Sequence, residues 1–181
     1  MKQGLIHILM GPSGAGKSAL GECLKQVGGV ELVSHTTRQK RKGEEHGIHY
    51  HFVTMDEFNQ TPMIESAWHS GNRYGVSQKE VESKLGKYDY LFAVLEVEGV
   101  KAMKQKFGES VRVYFVEAET SCLEKRMRER GDDETSIQQR LAYLKTHHEQ
   151  ENKKYADYVI QNNGTLEEAW EQFKTYLKIN A

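Results

Sequence analysis

The octapeptide Gly11-Pro12-Ser13-Gly14-Ala15-Gly16-Lys17-Ser18 constrains this chain more than any other stretch. It has the spacing G-x-x-x-x-G-K-[ST], follows an apolar run (Leu5-Ile6-His7-Ile8-Leu9-Met10), and opens into a helical pattern of Ala19, Leu20, Cys23 and Leu24. A loop between a buried strand and a helix N-terminus presses several backbone N–H groups against phosphate oxygens, provided glycines keep Cβ atoms out of the way. In such a loop Lys17 reaches the β- and γ-phosphates of a nucleotide, and the Ser18 hydroxyl a bound Mg²⁺. A plain strand-to-helix turn needs neither side chain. The motif leaves the phosphoryl acceptor open.

A length of 181 residues suits one substantial core with excursions rather than two domains. Lys and Arg number 25 against 26 Asp and Glu, so the near-zero balance points away from nucleic acid and membrane surfaces as partners. Cys23 and Cys122 lack C-x-x-C or metal-ligand spacing and read as reduced packing residues of a cytoplasmic protein. The first residues read as a core strand rather than a signal peptide, and no stretch approaches a membrane span.

Along the chain, Val30 to Val33 reads as a strand, and strand, phosphate loop, helix and strand in sequence open a parallel α/β sheet. The polar, basic run Ser34 to Gly43 reads as a loop at a strand's carboxyl end, where open α/β sheets bind ligands. His49 to Val53 alternates like a half-buried strand, and Thr54-x-x-Glu57 and Ser77-x-x-Glu80 have capping-box spacing. Between them, residues 65–75 suggest a small irregular sheet.

Residues 91–97 and 111–116 read as buried strands, with Glu96 at the carboxyl end of the first and a helix from Gly99 to Phe107 between them. Ser121 is placed to cap the next helix. Arg126 and Arg130 then share one helix face, followed by a helix carrying Arg140. Asp157 to Ile160 is a last strand, and Thr165 caps a helix whose Leu166, Ala169, Trp170, Phe173 and Leu177 are expected to pack on the core.

The chain resembles the guanylate kinases over almost its whole length. The resemblance rests on the phosphate loop, Ser34-His35-Thr36-Thr37-Arg38 with Arg41, Gly43-Glu44, Tyr50-His51-Phe52-Val53, Ser70-Gly71-Asn72 with Tyr74-Gly75, Glu98-Gly99, Arg126 with Arg130-Gly131, and Arg140-Leu141. It implies an α/β P-loop kinase fold with a parallel sheet flanked by helices. The core would comprise residues 1–33, 88–125 and 155–181, with a nucleoside-monophosphate lobe at 34–87 and a helical lid at 126–154.

By the same resemblance, Ser34, Arg38, Arg41, Tyr50 and Tyr74 hold the acceptor phosphate. Glu65 meets the guanine edge beside Gly75 and position 76, and Glu96 assists. Arg126 joins the ATP site, Arg130 and Arg140 close on the phosphates, and catalysis falls to Lys17 on the donor side with Arg38, Arg130 and Arg140 around the moving phosphoryl. The implied activity is Mg²⁺-dependent transfer from ATP to GMP or dGMP by a monomer or homodimer.

The chain departs from the family pattern at Val76, where a hydroxyl residue usually serves guanine O6, and at Val94 and Glu96, where two aspartates are common. Gln39-Lys40 also lacks a proline. Two alternatives stand beside GMP phosphorylation: transfer to another small phosphorylated acceptor, and a non-catalytic module that binds phosphopeptides.

Overall fold

The first strand, β1 (Ile6–Met10), is buried along its whole length. Its near-unbroken apolar sequence suits a strand with helices on both faces, because alternate residues must enter two different cores. Ile6, Ile8 and Met10 join one apolar cluster and Leu9 the other. The computed structural model describes residues 4–69, 71–146 and 148–179; Ser70, part of the family pattern above, lies outside them.

After β1 come the phosphate loop, α1 (Lys17–Gln26) and β2 (Val30–Glu31). Further along, β7 (Leu91–Val94), α4 (Val97–Phe107), β8 (Val111–Glu117) and β9 (Tyr158–Gln161) complete a five-stranded sheet in the order β2-β7-β1-β8-β9. Every neighbouring pair in it is parallel. Since β1 lies between β7 and β8, the loops leaving β1 and β7 emerge side by side at the sheet's carboxyl edge, where such sheets bind ligands.

The insert contains β3 (His35–Thr36), β4 (His51–Phe52), α2 (Met55–Gln60), β5 (Met63–His69), β6 (Asn72–Ser77) and α3 (Gln78–Lys84). Its sheet has the order β4-β3-β6-β5. The irregular sheet expected at residues 65–75 is instead a regular antiparallel hairpin, with only a register shift between Met63 and Glu65. Val76 and Val81 carry the insert into the β1 core cluster. Opposite them, α5 (Thr120–Glu129) and α6 (Glu134–Thr146) form a hairpin turned at Gly131, whose φ of 89° favours glycine. The last helix, α7 (Leu166–Leu177), covers the other face of the sheet.

Several boundaries differ from the sequence reading. The ladders of β2 and β4 take only two residues each. α4 begins at Val97, with Glu96 as its N-cap residue. Ser121 lies inside α5, which starts at Thr120 without a side-chain cap.

Thr54 and Thr165 form complete capping boxes. Ser77 forms only half of one, accepting from Glu80 N at 3.2 Å, because the Glu80 carboxylate instead accepts from Val33 N at 2.8 Å and from Lys84. Leu166 is 41% exposed and lies outside the core, although Ala169, Phe173 and Leu177 are buried as expected. Among the described residues no helix is long and apolar enough to cross a membrane.

Candidate active site

Gly11, Gly14 and Gly16 take φ values of 141°, 83° and 101°, conformations that side-chain-bearing residues avoid. Gly16 is also the N-cap of α1 and brings no side-chain cap, so the helix's first N–H groups are left to the loop. Behind it, buried Asn162 donates from Nδ2 to the Ala15 carbonyl at 2.7 Å. A Cβ on Gly16 would strike that amide.

Lys17 Nζ bonds the Gly11 and Pro12 carbonyls at 2.5 and 2.8 Å. Burial lowers its pKa first; Glu96 and Glu149 oppose the shift, and Arg130 adds to it.

A cavity of about 350 Å³ brings Ser13, Gly14, Gly16, Lys17 and Ser18 together with Arg126 and Arg130. Arg126 donates from Nη2 to Asn162 Oδ1 at 3.3 Å and to the Gly164 carbonyl at 3.2 Å, while its buried Nη1 has no partner. Arg140 approaches from α6, with Nη1 3.5 Å from Ser13 Oγ.

On the other side, a cavity of about 670 Å³ lies between the insert and the sheet edge, lined by Ser34, Arg38, Arg41, Tyr50, Glu65, Tyr74, Gly75 and Glu96. Arg38 Nη2 donates to Glu44 Oε1 at 2.7 Å, and Glu44 Oε2 accepts from Arg41 N at 2.8 Å. The Arg38 hydrogen bond, followed by that from Arg41, holds the Glu44 carboxyl at about 2. Arg38 also stands over the Tyr50 ring at 5.4 Å, and Tyr50 meets Tyr74 edge-on at 5.9 Å. Burial pushes the Glu65 carboxyl up; a hydrogen bond from Val76 N opposes this, and the Glu96 charge reinforces it.

Glu96 and Tyr143 line this cavity and also a third, of about 600 Å³, which contains Ser13, Lys17, Arg140 and Glu149. The two main cavities therefore meet through shared walls.

The structure thus brings the sequence-derived candidates into one cleft, with two qualifications. The side chain of Val76 is fully buried in the core cluster, away from the cavity, and only its N–H reaches the site, through Glu65. Within the phosphate loop, Pro12 and Ala15 are buried, and neither they nor Gly11 line these cavities. Sequence reasoning missed Asn162, Asp132, Tyr143 and Glu149. These sit in no local motif, and Asp132 and Tyr143 enter only because α5 and α6 fold back over the loop.

A phosphate loop at the end of the central strand, an insert facing it across a cleft and an arginine-bearing helical hairpin define a P-loop kinase. A sequence model of the guanylate kinase family matches residues 3–180. The chain is 37% identical over 169 residues to a guanylate kinase of Fusobacterium nucleatum, covering 90% of each protein. It is 36% identical over 183 residues to one of a Synechococcus species, covering 97% of this chain and 82% of the relative. The crystal structure of guanylate kinase from Anaplasma phagocytophilum superposes with a TM-score of 0.73 at 28% identity, covering 98% of this chain and 86% of that one. The chain belongs to the guanylate kinase family.

Proposed function

We propose that this protein transfers the γ-phosphoryl group of ATP to GMP and dGMP in a direct in-line step. The observation that carries the reading is the shared wall. Glu96 borders both the cavity of Ser34, Arg38, Arg41, Tyr50 and Tyr74 and the cavity of Lys17. Donor and acceptor phosphates bound in the two would face each other beside it.

The acceptor phosphate is held by the forks of Arg38 and Arg41 and by the hydroxyls of Ser34, Tyr50 and Tyr74. Glu65 accepts from guanine N1–H and the exocyclic amine, and its carboxylate has lone pairs enough to keep the Val76 N–H as well. Lys17 leaves the loop carbonyls for the β- and γ-phosphates, and Arg126, Arg130 and Arg140 complete the charge around them. Residues 34–87 act as the acceptor lobe and 126–154 as the lid, and their closure excludes water.

The donor set fits Mg²⁺. Among the described residues no group of three or more His, Cys, Asp or Glu side chains is arranged to hold a metal ion by itself. Ser18 would supply one hydroxyl ligand, and a cation that keeps water and substrate phosphate oxygens for its other ligands suits a site with so few protein donors. When bound, the ion neutralises charge developing on the phosphates.

The reading takes a monomer or homodimer in the cytoplasm acting on small molecules. It is tested by ADP formation from Mg-ATP with GMP, dGMP, AMP, UMP, dTMP and ribose phosphates as acceptors. Turnover with GMP and dGMP well above the rest is expected. Activity confined to a pyrimidine nucleotide or a sugar phosphate would overturn the guanine assignment.

A further inference from the structure

Between α5 and α6 two adjacent aspartates do different work. Asp133 serves the helix: its Oδ1 accepts from Ser136 N at 2.9 Å and its carbonyl from Ile137 N at 3.0 Å. Asp132 does not. Its backbone is fixed by the preceding helix end, where Gly131 N donates to the Arg128 carbonyl at 2.9 Å and Asp132 N to the Met127 carbonyl at 3.1 Å. The carboxylate is therefore spare, and it lies between two arginines. Oδ1 accepts from Arg130 Nε at 3.0 Å, and Oδ2 accepts from Arg130 Nη2 at 2.5 Å and from Arg140 Nη1 at 2.7 Å.

We propose that Asp132 is a positioning residue for phosphoryl transfer, a fixed anion that clasps Arg130 and Arg140 together over the phosphate loop. The inference rests on the function proposed above and assigns a role to a residue outside the cleft's list of ligands. Two guanidinium groups converging on one phosphoryl repel each other, and each sits on a long side chain with much rotamer freedom to lose. One carboxylate removes both obstacles.

The fork from Arg130 uses Nε and Nη2, which leaves its Nη1 free to donate elsewhere; Arg140 commits only Nη1. Both arginines therefore keep donors for phosphate oxygens while clasped, and the trio retains one net positive charge. Their direction is set by the same geometry. Arg130 borders the cavity of Lys17 and Ser18, and Arg140 stands 3.5 Å from Ser13 Oγ.

Partly exposed ion pairs add little to stability, so a purely structural role would predict no kinetic effect. A clasp predicts a selective one, because misdirected cations are felt at the moving phosphoryl rather than at the bound acceptor.

The test compares wild type with Asp132→Asn, which keeps the shape and removes the charge, and with Asp132→Glu. For Asp132→Asn, kcat should fall roughly tenfold or more while the acceptor KM stays within about twofold and the Tm is nearly unchanged. Asp132→Glu should recover part of the loss. In an Arg140→Ala background, Asp132→Asn should cost distinctly less than it does alone, because half the clasp is already gone.

The Arg130 Nε–H resonance reads the clasp without any substrate. It should be protected from exchange in wild type and lose that protection in Asp132→Asn. Wild-type kcat in Asp132→Asn, full additivity with Arg140→Ala, or an unaltered resonance would each overturn the inference. An acceptor other than GMP would overturn the proposed function alone, since the kcat and KM split is then read with that acceptor.

Discussion

Val76 stands opposite Glu65 across the β5–β6 hairpin and gives it a main-chain hydrogen bond, while its own side chain is fully buried in the core. At the position where the family usually carries a hydroxyl, this chain has a packing residue. The neighbouring Ser77 hydroxyl is no substitute, because it is buried and lies outside the residues that line the acceptor cavity. We therefore expect Val76→Thr to act on the fold. A buried hydroxyl lacking a partner costs about 1–3 kcal/mol, and Val and Thr are not interchangeable in a core. The unfolding free energy should drop by that order while kcat/KM for GMP stays within about threefold of wild type. A tenfold rise in kcat/KM would show that the threonine reaches the base.

Lys17→Ala should abolish transfer and leave the Tm close to wild type. The ammonium group is tied only to two carbonyls of its own loop, so its removal subtracts charge aimed at the transition state rather than packing. Retention of most of the wild-type kcat in this variant would remove Lys17 from the machinery.

Glu44 orients Arg38 and the backbone of Arg41 with its two oxygens. Replacing it by Gln keeps the shape but weakens the grip, and Arg38 then samples directions away from the cavity. The acceptor KM should rise about five- to twentyfold with a smaller change in kcat, since the interaction is already made when the acceptor binds. The converse, a fall in kcat at unchanged KM, would place Arg38 on the moving phosphoryl instead.

The acid side of the activity profile should belong to Glu65 rather than Glu44. Glu44 stays ionised down to about 2, whereas Glu65 is shifted above the ordinary glutamate value of 4.5, chiefly by burial. Only the ionised form accepts two guanine donors, so the acceptor KM should begin to rise while the pH is still above 4.5. Glu65→Gln should flatten that rise as well as raise KM at neutral pH. A KM insensitive to pH until Glu44 titrates would contradict the assignment.

Much of this architecture was readable in the residues because its signals are local. The glycines of the phosphate loop, the apolar runs of β1, β7 and β8, and the Thr54 and Thr165 boxes each state their own geometry within a few positions. What was not readable depends on contacts between distant segments. Glu80 has capping-box spacing, yet Val33 and Lys84 claim its carboxylate. Asn162 supports the loop from 147 residues away. The burial of Val76 follows from the way the insert leans on β1, and no spacing rule reports that.

His7 provides a test of the core that is independent of the cleft. It lies on β1, is 3% exposed, and shares a 2.9 Å hydrogen bond with the Tyr114 hydroxyl through Nδ1. Burial, with some help from Arg112, lowers its pKa from 6.5 to about 4. Between those two values the unfolded chain carries a proton on this imidazole that the folded protein does not. The contribution of His7 to stability is therefore complete above 6.5, declines as the pH falls through the window, and levels off below about 4. At 1.36 kcal/mol per pKa unit, its share is about 3 kcal/mol. His35, lowered to about 4 mainly by burial and then by His51, titrates in the same window, so the share of His7 must be read by difference. His7→Leu should be less stable than wild type at pH 7, because the Tyr114 hydroxyl loses its partner. Its stability should also fall less steeply on acidification to pH 4. Urea unfolding at half-unit pH steps gives both slopes, and parallel curves for the two proteins would mean that His7 takes up its proton in the folded state as readily as in the unfolded one.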